Sequence, residues 1–99
     1  MIFGSMRDKD ISEIAAILFP LTTTLILTSP DNSRAMSANE LAKFVSVDMA
    51  KESVFVTENV DEALTKAREI TGGDGLICVT GSLYLVGEAL KVLKNTPQT

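Results

Sequence analysis

The sequence predicts an α/β fold in which four strands alternate with four helices, and three observations support this prediction. Short runs of apolar, mostly β-branched residues recur along the chain. Apolar residues at helical spacing follow each run. The 99 residues, 45% of them hydrophobic, are enough for one domain with one core. Strands and helices that alternate in this way pack as a mostly parallel four-stranded sheet between two layers of helices.

Four stretches have the composition of strands. The run Leu-Ile-Cys-Val at 76–79 is continuously apolar, as expected of a strand that helices cover on both sides. The predicted strands are residues 1–4, 22–28, 53–57 and 76–79. We predict the strand order 3-2-1-4, because it places the two most buried strands, the first and the fourth, side by side.

Residues that cap helices precede the first three helical stretches. Asp10 is placed to cap the first helix. Ser37 with Glu40, and Asn59 with Glu62, have the spacing of a capping box. The predicted helices are residues 11–19, 38–45, 60–71 and 83–94.

Composition argues against several classes of function. A net charge of −4 without any basic cluster argues against nucleic acid or an anionic membrane as partner. The absence of histidine excludes His-based triads and most zinc sites. The single cysteine, Cys78, lies in the most apolar strand and is interpreted as a core residue. One cysteine excludes an internal disulfide, which fits a reducing compartment, and we expect a cytoplasmic location.

Three polar segments follow strands, and a parallel sheet brings them to one edge. They are residues 5–10, 29–34 and 80–82. Ligands of open α/β sheets bind outside the carboxyl ends of the strands. The fourth strand exit, at 58–59, is interpreted only as a helix cap. The sequence therefore predicts a binding site at this edge.

Arg34 is the best candidate for recognising an anion at this edge. Its guanidinium matches the geometry of a carboxylate, and Asp31 and Asn32 have groups that can orient it or bind an ammonium. The alternative is an exposed loop with an Asx turn. The chain has neither of the glycine-rich phosphate-binding motifs, G-x-x-x-x-G-K-[ST] and G-x-G-x-x-G.

The small polar elbow at 80–82 lies where a helix begins, so its backbone N–H groups and the helix dipole favour an anion. The alternative is a capped junction with Ser82 as the N-cap. Asp8, Lys9 and Asp10 suit a phosphate or a hydrated metal ion. For these three the alternative is that Asp10 caps the helix while its neighbours are solvated.

Three motifs carry a resemblance to a known family. They are I-F-G-S-M-R-D-K-D at 2–10, S-P-D-N-S-R-A at 29–35 and V-T-G-S-L-Y-L-V-G at 79–87. Together they resemble the C-terminal, glutamate-ligase domain of folylpolyglutamate synthase/dihydrofolate synthase, a member of the Mur ligase superfamily. The resemblance covers nearly the whole chain and implies a Rossmann-like three-layer αβα fold, in agreement with the alternating pattern.

The resemblance also implies a reaction. ATP phosphorylates a carboxylate on folate or dihydropteroate, and the amine of L-glutamate then attacks the acyl phosphate. ATP and Mg²⁺ are therefore expected in the parent enzyme, bound mainly by a domain outside this chain. The family's D-G-A-H-N-P segment, which opens the C-terminal domain, does not occur in these residues. We expect a single truncated domain, without its first strand and helix, that is inactive alone.

The family's binding residues map onto the edge described above. The expected glutamate contacts are Asp31, Asn32, Arg34, Gly81 and Ser82, and the positions near the nucleotide are Asp8 and Lys9. No catalytic or metal-ligating residue is assigned. Ser33 replaces the family's usual proline, which puts in doubt the turn that aims Arg34. The alternative function is a stand-alone Rossmann-like module that binds a small molecule or regulates a partner.

Overall fold

The computed structural model describes residues 1–7, 10–46, 49, 51–71, 79–81 and 83–95. Four strands and four helices alternate along the chain. The strands are β1 (Ile2–Phe3), β2 (Leu25–Leu27), β3 (Val54–Val56) and β4 (Val79–Thr80). The helices are α1 (Ile11–Leu18), α2 (Ala38–Ala42), α3 (Val60–Ile70) and α4 (Leu83–Asn95). The predicted α/β class is confirmed.

The strands form one parallel sheet in the order β3-β2-β1-β4, so the predicted order is confirmed. The reason given for it is wrong, because β4 is an edge strand whose residues Val79 and Thr80 are half-buried, and β2 is the second buried strand. Ile2 of β1 lies opposite Ile26 on one side and Val79 on the other. β1 and β2 occupy the centre of the sheet and are fully buried. All carboxyl ends therefore meet at one edge, and β1 separates β2 from β4.

Alternate residues of the central strands face opposite layers of helices. Ile2 and Ile26 pack in one cluster with α3 and α4, whereas Phe3, Leu25 and Leu27 pack with α1 and α2. This division follows from the two-residue period of a strand. The helices of each pair lie on the same face, which produces the three-layer arrangement that the sequence predicts.

The predicted helix caps are present. The Asp10 side chain accepts a hydrogen bond from the Glu13 backbone N–H, and Ser37 with Glu40 forms a complete capping box. Asn59 caps α3, and its side-chain amide also donates to the Glu62 carboxylate at 3.2 Å.

β2 and α2 depart most from their predicted bounds. β2 begins at Leu25 rather than at residue 22, because Thr22 ends a 3₁₀ turn (Phe19–Leu21) and its hydroxyl donates to the Thr24 carbonyl at 2.7 Å. α2 ends at Ala42, and i→i−3 hydrogen bonds form further turns after it as far as Val45. The predicted strand residues 76–78, including Cys78, lie outside the described residues. Within the described part, no helix is long and apolar enough to cross a membrane.

Candidate functional site

The carboxyl ends of β1, β2 and β4 bring three polar segments together, as predicted. The Gly4 N–H, just after β1, donates to the Thr80 carbonyl at 3.3 Å. The Thr28 N–H, just after β2, donates to the Phe3 carbonyl at 3.0 Å. These bonds extend the parallel ladder beyond the strands and fix the starting points of the loops that follow.

Two glycines allow the backbones to approach at this edge. Gly81 has a φ of +121°, and a Cβ there would collide with the carbonyl oxygen of Gly4. A Cβ at Gly4 would lie 2.8 Å from the carbonyl oxygen of Thr28. The elbow after β4 therefore requires glycine for steric reasons, in addition to the contact role predicted for it.

The loop after β2, residues 30–35, folds on itself. Its Asn32 N–H donates to the Pro30 carbonyl at 2.8 Å, and the Asn32 carbonyl accepts from Ala35 N–H at 3.0 Å. The Asn32 side-chain oxygen accepts from Arg34 N–H at 2.9 Å, which is an Asx turn. The turn forms although Ser33 replaces proline. It presents Asp31, Ser33 and Arg34 on the exposed surface.

Backbone pairing with the segment after β1 holds the C-terminal side of this loop. Arg7 N–H donates to the Arg34 carbonyl at 2.8 Å, and Met36 N–H donates to the Ser5 carbonyl at 2.9 Å. Met6 and Ala35 form an isolated antiparallel bridge between these bonds. On the N-terminal side, Asp31 N–H donates to Glu88 Oε1, on α4, at 2.6 Å. The loop is thus attached to two different elements.

Arg7 and Glu40 form a bidentate ion pair beside the loop. The two Nη–Oε distances are 3.1 and 3.0 Å. Glu40 loses some solvation, which raises its pKa, but hydrogen bonds from Ser37 and Arg7 and the Arg7 charge outweigh this and hold the pKa below its usual range. The sequence reasoning missed this pair. The available signal was the position of Arg7 after β1 and of Glu40 in a capping box that directly follows the loop.

Two strand-end hydroxyls are buried here. Ser5 and Thr28 are both fully buried, and within the described ranges Thr28 Oγ1 has no hydrogen-bond partner. A buried hydroxyl without a partner costs stability.

The structure brings four predicted site residues to one edge. Asp31, Asn32 and Arg34 share the loop after β2, and Gly81 lies at the exit of β4. Asp8, Lys9 and Ser82 lie outside the described residues. The exposed guanidinium and carboxylate of Arg34 and Asp31 suit a ligand that carries both an acid and an ammonium group.

Other concave surfaces lie outside the loop after β2 and the elbow at Gly81. An open groove of about 660 Å³ runs along α3 beside the edge strand β3 and reaches the carboxyl end of that strand at Thr57 and Asn59. An apolar groove of about 580 Å³ runs along α1 toward the amino ends of the strands, and Phe44, Ser46 and Met49 line its other side. No three His, Cys, Asp or Glu side chains gather to hold a metal ion within the described ranges.

Comparison with known protein families identifies the class of protein to which the chain belongs. Residues 1–83 match the Mur ligase, glutamate ligase domain. This match covers most of the chain, so the chain belongs to that family, and the resemblance carried by the three sequence motifs is confirmed.

The individual proteins that are similar to this chain carry the name folylpolyglutamate synthase. The chain is 38% identical over 88 residues to a Halobacterium salinarum protein named "probable bifunctional folylpolyglutamate synthase/dihydropteroate synthase". The aligned region is 89% of this chain and 11% of that protein. Two structures of Mycobacterium tuberculosis folylpolyglutamate synthase superpose with TM-scores of 0.81 and 0.80 and are 25% and 23% identical.

In both structures the match covers 98% of this chain and 24% of the other. The first is described as complexed with ADP and AMPPCP, and the second as complexed with ADP. The chain therefore spans a quarter or less of the length of these relatives, and it has the fold of one of their domains.

Proposed function

We propose that this chain is the amino-acid-binding C-terminal domain of an ATP-dependent ligase that adds L-glutamate to folate or dihydropteroate. One observation carries the proposal: the loop with Asp31 and Arg34 lies on the same sheet edge as the elbow at Gly81. The family match and the names of the similar proteins support the same assignment.

In this proposal the loop after β2 recognises the incoming glutamate. The Arg34 guanidinium pairs with a carboxylate of the substrate, and the Asp31 carboxylate accepts from its ammonium group. Asn32 contacts the substrate through its amide nitrogen, because its oxygen already accepts from Arg34 N–H. The Asx turn holds these groups in place before the substrate binds, which lowers the entropy cost of binding.

The elbow supplies the second part of the site. Gly81 lies two residues before α4 (Leu83–Asn95). We assign Gly81 and Ser82 to the other glutamate carboxylate, because backbone N–H groups and the positive end of a helix dipole favour an anion. Asp8 and Lys9 come after β1 in the sequence, and we assign them to the side of the site that faces the nucleotide.

The chemistry follows from the acyl-phosphate route. ATP transfers its γ-phosphoryl group to the carboxylate of the folate substrate, and the glutamate amine attacks the resulting carbonyl. A C–N bond forms, phosphate leaves and the amine loses a proton. The residues of this chain bind and orient the amine. We assign Mg²⁺ and most contacts to ATP to another domain of the parent, and we expect the chain alone to be inactive.

The kinetic test uses Arg34→Ala in the full-length parent enzyme. Loss of a charge-assisted pair should raise KM for L-glutamate about tenfold or more, with KM for ATP unchanged. Arg68→Ala is the matched control, because Arg68 is an exposed arginine on α3. An unchanged KM for L-glutamate in Arg34→Ala would contradict the site.

Calorimetry on the 99-residue chain separates this proposal from the stand-alone module. We expect weak or undetectable binding of L-glutamate and of ATP, because the other wall of the cleft belongs to another domain. Tight binding of either ligand by the chain alone would favour the binding module.

A further inference from the structure

Glu88 is not among the residues that the sequence motifs or the similarity to other proteins single out, yet it contacts the recognition loop directly. Its carboxylate accepts a hydrogen bond from Asp31 N–H at 2.6 Å. The two residues are 57 positions apart in sequence, so the bond joins two separate elements of the fold.

These elements carry the two halves of the proposed site. The loop follows β2, and the elbow at Gly81 follows β4 and leads directly into α4. β2 and β4 are not neighbours, because β1 lies between them. Strand pairing therefore fixes where the loop and the elbow begin, but it does not hold the Asp31 side of the loop above the sheet. The Glu88 bond joins that side of the loop to the helix that follows the elbow.

Glu88 lies on a part of α4 that packs in the core. Leu85 and Ala89, on either side of it along the helix, are 0% and 3% exposed and pack in the core. Leu85 and Pro30, at the start of the loop, both lie 3.3 Å from the position that a Cβ on Gly4 would take. The loop therefore begins beside a buried turn of α4, and Glu88 holds it there.

The opposite side of the loop is held independently. The Arg7–Arg34 and Met36–Ser5 backbone bonds attach it to the segment after β1. Removing the Glu88 carboxylate should therefore release the Asp31 side of the loop and leave the Arg34 side attached. The fold as a whole keeps its buried contacts.

We propose that Glu88 is a positioning residue that sets the distance between the recognition loop 31–34 and the elbow at Gly81. This inference rests on the proposed function, because the loop and the elbow are there assigned to the same glutamate molecule. Glu88 does not touch the substrate. It acts through the Asp31 backbone.

A spectroscopic test examines the contact itself in the 99-residue chain. The Asp31 amide proton should exchange with solvent about tenfold faster in Glu88→Ala than in the original chain, measured by NMR. Glu88→Gln should restore most of the protection, because its amide oxygen can accept the same bond. Glu13→Ala, which removes an exposed carboxylate from the first turn of α1 on the other face of the sheet, is the control. Unchanged Asp31 exchange in Glu88→Ala would overturn the proposal.

A kinetic test examines the positioning role in the full-length parent. Glu88→Ala should raise KM for L-glutamate about threefold to tenfold with a smaller change in kcat, and Glu88→Gln should restore it. If Arg34→Ala raises KM and Glu88→Ala does not, the positioning role is wrong and the proposed function stands. If neither variant changes KM for L-glutamate, both proposals are wrong.

Discussion

The two edges of the sheet are built from different interactions. At the carboxyl edge, backbones meet at Gly4 and Gly81, and polar groups of α4 and of the segment after β1 hold one loop. At the amino edge, an apolar groove lies open, and Leu21 and Phe44 are 76% and 37% exposed. Directional contacts fix positions, whereas exposed apolar groups do not. The difference supports our proposal that the carboxyl edge holds the functional site.

The largest expected effect at the carboxyl edge comes from Gly81→Ala. The new Cβ would collide with the Gly4 carbonyl, and alanine disfavours a φ of +121°. We expect a loss of about 3 kcal/mol or more in the free energy of unfolding, measured by urea denaturation.

Two variants serve as controls for this effect. Gly87→Ala lies in α4 with nothing within 4 Å of its Cβ and should stabilise the chain by about 0.5–1 kcal/mol. Leu21→Ser at the amino edge should change stability by less than about 0.5 kcal/mol. If Gly81→Ala were as mild as either control, the close approach of the backbones would be wrong.

Thr28→Val tests the buried residue that follows β2. Its effect on the free energy of unfolding is expected to be intermediate in size, and it stabilises the chain where Gly81→Ala destabilises it. Its Oγ1 is buried without a partner in the described part of the chain, so replacing the hydroxyl with a methyl group removes a desolvated polar atom. We expect stabilisation of about 1 kcal/mol in the same urea measurement. Destabilisation would show that the hydroxyl has a partner in solution.

The smallest effect concerns the Arg7–Glu40 pair. Because the fold lowers the pKa of Glu40, the pair contributes fully above the ordinary pKa of the carboxyl, and the contribution is lost as the pH falls through the lowered value. Arg7→Ala should therefore reduce the difference in unfolding free energy between about pH 7 and about pH 3. Arg68→Ala is the control, and an unchanged pH dependence in Arg7→Ala would show that the pair contributes nothing.

The alternating pattern was sufficient to predict the elements, because periodicity and caps are local. The strand order is not local, and its prediction was correct although β4, which was expected to be one of the two most buried strands, is a half-buried edge strand. The start of β2 was predicted wrongly, since Thr22 to Thr24 have the composition of a strand but form a turn in which Thr22 bonds to the Thr24 carbonyl. β-branched composition alone does not distinguish these outcomes.

The loop residues of the candidate site follow from topology, because strand order dictates which loops share an edge. The contacts that hold the loop do not follow from topology. Arg7 meets Glu40 across 33 positions and Asp31 meets Glu88 across 57, and neither spacing has a signature in one sequence. The steric need for Gly81 likewise depends on Gly4, which only the folded sheet brings beside it.

A crystal structure of the full-length parent with L-glutamate and a non-hydrolysable ATP analogue tests the proposed site directly. We expect a glutamate carboxylate within about 3 Å of the Arg34 guanidinium, between the loop 31–34 and the elbow at Gly81. A glutamate molecule bound away from this edge, with Arg34 in contact only with solvent or with protein, would contradict the central claim.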